Sequence, residues 1–202
     1  MQLPDDIFEY IWLVGWIGYF FFVYTPSARH YRRSQVAESR MKISDFVLDM
    51  LVFVCWQLIS LLYIFTSWFG FADFTLPEWA GWTGVVIFLV AITLIQRAYT
   101  ELGRNWTPTY QSVEGHALVT SGIYGYIRHP IYAGMLLWAI AQPLLLQNWL
   151  VGPLFLILFP PLFLMRLPRE EQQLLDLFGE EYRSYMGRTG RIIPRLRRND
   201  NI

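Results

Sequence analysis

The sequence predicts an all-α protein: a multi-pass membrane helical bundle of about five transmembrane helices with a C-terminal amphipathic helix. Three observations carry the prediction. The chain of 202 residues is 54% hydrophobic and 18% aromatic. Only 16% of its residues are charged, against about a quarter in soluble domains. The apolar residues also fall in runs near the ~20 residues that a spanning helix needs.

Run one is Ile7 to Tyr24, "IFEYIWLVGWIGYFFFVY". Its leader carries Asp5, Asp6 and Glu9, not the positive n-region of a signal peptide, and no small-residue cleavage site follows. It reads as a mature membrane helix. Run two spans about Phe46 to Phe69 and run three about Trp79 to Tyr99. A fourth stretch, Ile131 to Leu167, is broken by "QNW" at 147–149 and is long enough for two short spans in a tight hairpin. Pro143, Pro153, Pro160 and Pro161 punctuate it. Membrane helices tolerate proline where neighbours or cavities satisfy the freed carbonyls.

The loops predict an orientation. "SARHYRRSQVAESRMK", 27–42, is rich in Arg and Lys, whereas "GFADFTLPE" between runs two and three carries only acids. By the positive-inside rule the first is cytoplasmic and the N-terminus lies outside. Five spans then put 100–130 and the C-terminal tail in the cytoplasm, in agreement with Arg97, Arg104, Arg128, Arg166, Arg169 and the "RLRR" of 195–198. The chain divides into three N-terminal spans, 1–100, and a region, 101–202, that holds a polar loop, the hairpin and the tail. In the tail, Pro168 followed by Glu170 and Glu171 reads as a helix start. Leu174, Phe178, Tyr182 and Tyr185 recur at helical spacing as one apolar stripe.

Several functions are disfavoured. Net charge is zero, with no basic stripe for nucleic acid. Cys55 is the only cysteine and reads as a packed core thiol. His30, His116 and His129 have no Cys or carboxylate at ligand spacing, so no metal is expected. There is no dinucleotide fingerprint, P-loop or nucleophile elbow. What remains is "LGRNWTPTYQSVEGHALVTSGIYGYIRHPIYAG" and "FLMRLPREE", which the topology brings to one membrane face. Each residue alone has an ordinary explanation. Arg166 can snorkel, Glu170 and Glu171 can complete a helix dipole, His129 before Pro130 can form a turn, and the tyrosines can sit in an interfacial belt. The ordered combination is harder to explain that way, since ionisable groups at a membrane boundary tend to face a cavity.

That combination resembles the isoprenylcysteine carboxyl methyltransferases. Over about residues 103–194 the elements G-H-x-L-V, G-x-Y, R-H-P-x-Y, E-E and F-G-x-x-Y-x-x-Y occur in order. The resemblance implies methylation of a prenylated cysteine's C-terminal carboxylate, or a similar lipophilic carboxylate, by S-adenosyl-L-methionine in a cytoplasmic cofactor pocket. Position by position, it implies cofactor contacts at His116, Ala117, Leu118, Val119, Tyr124, His129, Pro130, Ile131, Tyr132 and Glu170. It places the substrate-carboxylate arginine, the catalytic residue, at Arg166. A family Gln falls near Gln111 with the spacing off by about two residues. Pro168 departs from the pattern and puts a shared helix face for Arg166 and Glu170 in question. Arg128 is left without a role beyond anchoring a helix end. The alternatives are the related membrane N-methyltransferases acting on phospholipid amines, which Arg166 disfavours, and the NADPH-dependent sterol reductases, which carry a similar R-H-P-x-Y element.

Overall fold

The structure is a computed structural model that describes residues 6–32, 36–39, 43–107, 111–113, 115 and 117–195. His116, much of the basic 27–42 segment and most of "RLRR" lie outside these residues. The described chain is helical apart from one small ribbon, and it is an integral, multi-pass membrane protein.

The first rod begins at Asp6, whose side chain accepts from the Phe8 N–H at 3.2 Å. It comprises α1 (Ile7–Gly18), a π-helical stretch (Tyr19–Tyr24) and α2 (Thr25–Arg32). The π turn closes on Phe20 O, which accepts both the Thr25 N–H and, at 2.6 Å, Thr25 Oγ1. Strand β1 (Val36–Ser39) follows, then α3 (Ile43–Phe65) and α4 (Glu78–Leu102). Strand β2 (Gln111–Val113) pairs antiparallel with β1, Val36 opposite Val113 and Ser39 opposite Gln111. This short ribbon is a local departure from helix, and the fold class stays all-α. The segment after α2 and the loop after α4 meet at one end of the bundle, and their backbone groups satisfy each other there.

Helix α5 (Pro130–Leu145) and α6 (Leu154–Phe178) flank the expected break at 147–149, and Gly179 turns the chain into α7 (Glu180–Arg188). Gly179 has φ +52°, which a residue with a Cβ rarely adopts. The helix start read at Pro168 is not there. Pro160, Pro161 and Pro168 all lie inside α6. The predicted apolar stripe is therefore split between the end of α6 and α7.

Among the described residues, three helical stretches are long and apolar enough to cross a membrane: Ile7–Arg29, Val47–Phe65 and Glu78–Asn105. Pro130–Leu145 is apolar but shorter. Val14, Phe22, Val47, Leu51, Val86 and Leu89 on the long helices are exposed, as a lipid-facing surface requires.

Two pairings organise the interior. Helix α5 packs antiparallel on α4 because glycines let the backbones approach. A Cβ at Gly84 would stand 2.7 Å from Leu144 Cβ, and one at Gly134 would stand 3.1 Å from Ala91 O. Helices α3 and α6 are also antiparallel. Trp56 stacks on Phe155 at 3.7 Å, and further along the same seam Arg166 meets Asp49. Trp138 sits at the centre, edge-on to Tyr19, Trp56 and Phe88 with centroids 4.8–5.3 Å away. Buried Gln142 ties these parts together. It accepts from Trp56 Nε1 at 2.6 Å and donates to Val151 O at 2.8 Å, which satisfies polar groups that hydrocarbon would leave unpaired.

Candidate active site

The bundle encloses a cavity of about 630 Å³. Its inner part is walled by aromatic and aliphatic side chains: Phe53 and Trp56 from α3, Phe155, Phe159 and Leu162 from α6, and Tyr19 and Tyr24 from the π turn. The π geometry turns both tyrosines inward, where regular α spacing would separate two residues five apart.

The other end of the cavity is polar. Ala117, Leu118, Val119, Tyr124, His129, Pro130, Ile131, Tyr132, Arg166 and Glu170 all line the cavity, so the structure brings together the described residues at which the resemblance implies cofactor or substrate contacts, Gln111 aside. His116 lies outside the described residues, and only the backbone of Gln111 is described, in β2. The loop that carries Ala117 is pinned to α4 by a hydrogen bond from the Ala117 N–H to Asn105 Oδ1 at 2.9 Å. Tyr124 is buried and donates to Ala98 O at 3.3 Å. Burial pushes its phenol well above the usual range, so it stays neutral. Pro130 opens α5, where its missing N–H costs nothing.

Arg166 and Glu170 form one ion-paired unit despite the intervening Pro168. Arg166 Nη2 and Nε donate to Glu170 Oε1 at 3.1 and 3.3 Å. The helix runs on through the proline, so the two residues keep the i, i+4 relation that the proline put in question. Tyr132 Oη also donates to Glu170 Oε1, at 2.5 Å. All three bonds fall on one oxygen, and among the described residues Oε2 remains available. Arg166 Nη1 donates to Asp49 Oδ2 on α3 at 2.7 Å. Asp49 escaped the sequence reading because a single acid near the start of an apolar run carries no local signal. Tyr19, Tyr24, Tyr99, Asn105 and Trp106 also line the cavity and were not singled out.

Glu171, the next residue, belongs to a different cluster. Arg128 donates to its Oε1 through Nε and Nη2 at 3.2 and 3.0 Å, and Arg191 Nη2 donates to Oε2 at 2.8 Å. His129 Nε2 approaches Oε1 to 3.5 Å, too far for a full hydrogen bond. Burial alone would raise the Glu171 carboxyl, but His129 and the Arg128 and Arg191 guanidiniums outweigh it and hold the group at about 2. Arg128 also donates through Nη1 to Met186 O and Thr189 O. The backbone N–H groups of Arg128 and His129 donate to Gly190 O and Arg191 O, each at 2.8 Å. Arg128, which the sequence left without a role, thus binds the C-terminal tail to the loop that leads into α5.

Known proteins are similar to this chain over these regions. The isoprenylcysteine carboxyl methyltransferase (ICMT) family profile matches residues 83–176. Mouse protein-S-isoprenylcysteine O-methyltransferase is 32% identical over 147 residues, which is 67% of this chain and 52% of that protein. A probable protein-S-isoprenylcysteine O-methyltransferase of Oryza sativa subsp. indica is 29% identical over 79% of this chain and 81% of its own length. The chain spans about half the length of several curated relatives it matches, 52% for the mouse and human proteins. A solved structure of the eukaryotic intramembrane Ras methyltransferase ICMT shares the fold. Its TM-score is 0.55 at 24% identity, covering 88% of this chain and 56% of that one. The matched profile includes the α4–α5–α6 core and Arg166 and Glu170 with it, and over these residues the chain is similar to the isoprenylcysteine carboxyl methyltransferase family.

Proposed function

We propose that this protein transfers a methyl group from S-adenosyl-L-methionine to the C-terminal carboxylate of a prenylated cysteine, or a similar lipophilic carboxylate, at the membrane–cytoplasm boundary. The observation that carries this reading is the polarity of one cavity: an arginine and a carboxylate at one end, an aromatic and aliphatic wall at the other. A volume of about 630 Å³ is within the ~300–1,000 Å³ of small-molecule sites.

The residues at the polar end suit the methyl donor. Glu170 keeps Oε2 for an ammonium group, while Tyr132 and Arg166 fix its orientation through Oε1. Tyr124 and Tyr132 present aromatic faces, which attract cations. Ala117–Val119 supply backbone along one wall. Bound S-adenosyl-L-methionine would supply an electrophilic methyl on a sulfonium, which a carboxylate oxygen takes as the carbon–sulfur bond breaks. The acceptor is already ionised at pH 7, so no general base is required, and His129 is not assigned as one. The protein's part is to hold the acceptor in line and to exclude water. Arg166 is the group for the acceptor carboxylate, since a guanidinium can bind one bidentately.

In this reading five spans cross the membrane: the first rod, α3, α4, α5 and the apolar first half of α6. The N-terminus is outside, the cavity's polar end and the tail are cytoplasmic, and α7 is the C-terminal amphipathic helix. Residues 1–100 provide the membrane frame and 101–202 the catalytic region. The test is a screen with methyl-labelled S-adenosyl-L-methionine across N-acetyl-S-farnesylcysteine, fatty acids and phospholipid amines. The expected product is a base-labile ester of the farnesylcysteine. Label confined to a base-stable lipid amine, or no transfer to any carboxylate, overturns the proposal.

A further inference from the structure

Asp49 stands where the acceptor's carboxylate would have to go. Its side chain is 19% exposed, it lines the cavity, and it reaches Arg166 Nη1 at 2.7 Å. Arg166 already spends Nε on Glu170, and Nη2 with it. A bidentate carboxylate needs two parallel N–H groups. With the Nε side taken, the edge left for an acceptor is the one that carries Nη1, and that is where Asp49 sits.

The surroundings of Asp49 repeat the polarity of a lipophilic acid. Asp49, Phe53 and Trp56 follow one another at i, i+4 and i+7 on the cavity face of α3. The acid is at the head and the apolar stripe extends ~10 Å inward. Across the cavity α6 repeats the order in reverse, from Arg166 through Leu162 and Phe159 to Phe155. A lipophilic carboxylate aligned with these two stripes brings its charge beside Asp49 and its chain beside Trp56.

Resting on the proposed function, we infer that Asp49 is a specificity-determining residue: an internal carboxylate that competes with the acceptor for Arg166. Two carboxylates on one guanidinium edge repel each other. An acceptor must therefore offset the loss of the Asp49–Arg166 pair with contacts along the apolar stripes. Short or polar carboxylates make few such contacts and are rejected, although Arg166 alone would hold them. The acid thus makes the site read the lipophilic chain and the carboxylate together.

The experiment measures binding, independent of turnover. Purified wild type, Asp49→Asn and Asp49→Glu are titrated with N-acetyl-S-farnesylcysteine, its methyl ester and S-adenosylhomocysteine. In Asp49→Asn the free acid is expected to bind about tenfold tighter. Ester and S-adenosylhomocysteine affinities should stay within about twofold of wild type, and the latter also reports an intact fold. Asp49→Glu keeps the charge and should return acid binding towards the wild-type value. Unchanged or weaker acid binding in Asp49→Asn, or an equal change for acid and ester, overturns the inference and leaves the methyltransferase reading standing. Failure of the wild type to bind either acid or ester removes that reading, and this one with it.

Discussion

Glu170 and Glu171 are neighbours in sequence and identical in chemistry, yet Glu170 lines the cavity and Glu171 sits in a buried arginine cluster beside it, with Arg128 and His129 common to both. Successive helical residues point about 100° apart, so α6 directs one acid into the cavity and the other away from it. Glu170 is 23% exposed and has one oxygen committed to Tyr132 and Arg166. Glu171 is 7% exposed and both its oxygens are held by arginines. An acid that is to bind a ligand keeps acceptor capacity in reserve, and an acid that holds a tail in place spends all of it. The difference lies in the partners.

The largest effects should break this comparison at the cavity. Under the proposed assignment, Glu170→Ala removes the partner of the donor's ammonium group. S-adenosylhomocysteine binding by calorimetry should weaken about 100-fold or more. Arg166→Ala should leave that binding within a few-fold and lower turnover on N-acetyl-S-farnesylcysteine on the order of 10²–10³-fold. Glu171→Gln should spare S-adenosylhomocysteine binding by comparison. Equal losses for Glu170 and Glu171 variants would mean that the two acids act as one unit, and the division drawn here would fail.

The next effect lies in the clamp. Among the described residues, Arg128→Ala leaves Glu171 buried with the partly exposed Arg191 as its strong partner, and removes two bonds to the tail carbonyls. Breaking a buried charge pair from one side is costly, here on the order of 3 kcal/mol. The midpoint of thermal unfolding should fall accordingly. Arg128→Lys should recover only part of it, because a lysine cannot reproduce the fork that reaches both the acid and the carbonyls. An unchanged midpoint for Arg128→Ala would show that the backbone bonds to Gly190 and Arg191 hold the tail without the Arg128 side chain.

How much of this was legible follows from the range of the interactions. The bounds of the second and third apolar runs and the break at 147–149 were readable because hydropathy is a local property, and α3 and α4 begin and end within a few residues of those runs. The residues of the polar loop were readable because they form an ordered motif. The π turn at Tyr19–Tyr24 had no signal, since a six-residue aromatic run looks the same at either pitch. Pro168 was misleading. Pro followed by two acids is a sound helix-start signature, but α6 had already begun at Leu154, and a continuing helix overrides a local start. Asp49 and the Glu171 clamp were invisible for another reason. Arg128 and Glu171 are 43 positions apart and Asp49 and Arg166 are 117 apart, and no pattern in a single sequence reports which distant charges will meet.

A smaller effect comes from pH. Glu171 is held near 2, below its usual 4.5, so its folded-state pKa is depressed. The stabilisation it contributes is complete above pH 4.5 and is lost as the pH falls through about 2. Pepsin, which is active in this window, should cleave the segment after α7 increasingly as the pH drops from 4.5 to 2. In Glu171→Gln the cleavage should be nearly independent of pH over the same range. A wild-type tail that is equally protected at both ends of the window would show that Glu171 does not hold it.

The smallest effect tests whether burial or mere pairing gives the clamp its strength. Arg183 Nη1 and Glu180 Oε1 on α7 are 2.7 Å apart, closer than Arg128 and Glu171 at 3.0 Å. Judged by distance, the α7 pair is the better ion pair. But its side chains are 65% and 83% exposed, so water screens the attraction and two long side chains lose freedom to make it. Such pairs contribute less than ~0.5 kcal/mol. Arg183→Ala should therefore leave the unfolding midpoint and pepsin sensitivity nearly unchanged, while Arg128→Ala shifts both. If the two variants behave alike, the tail is held by its total charge, and the burial of Glu171 against Arg128, itself bonded to two tail carbonyls, has no special weight.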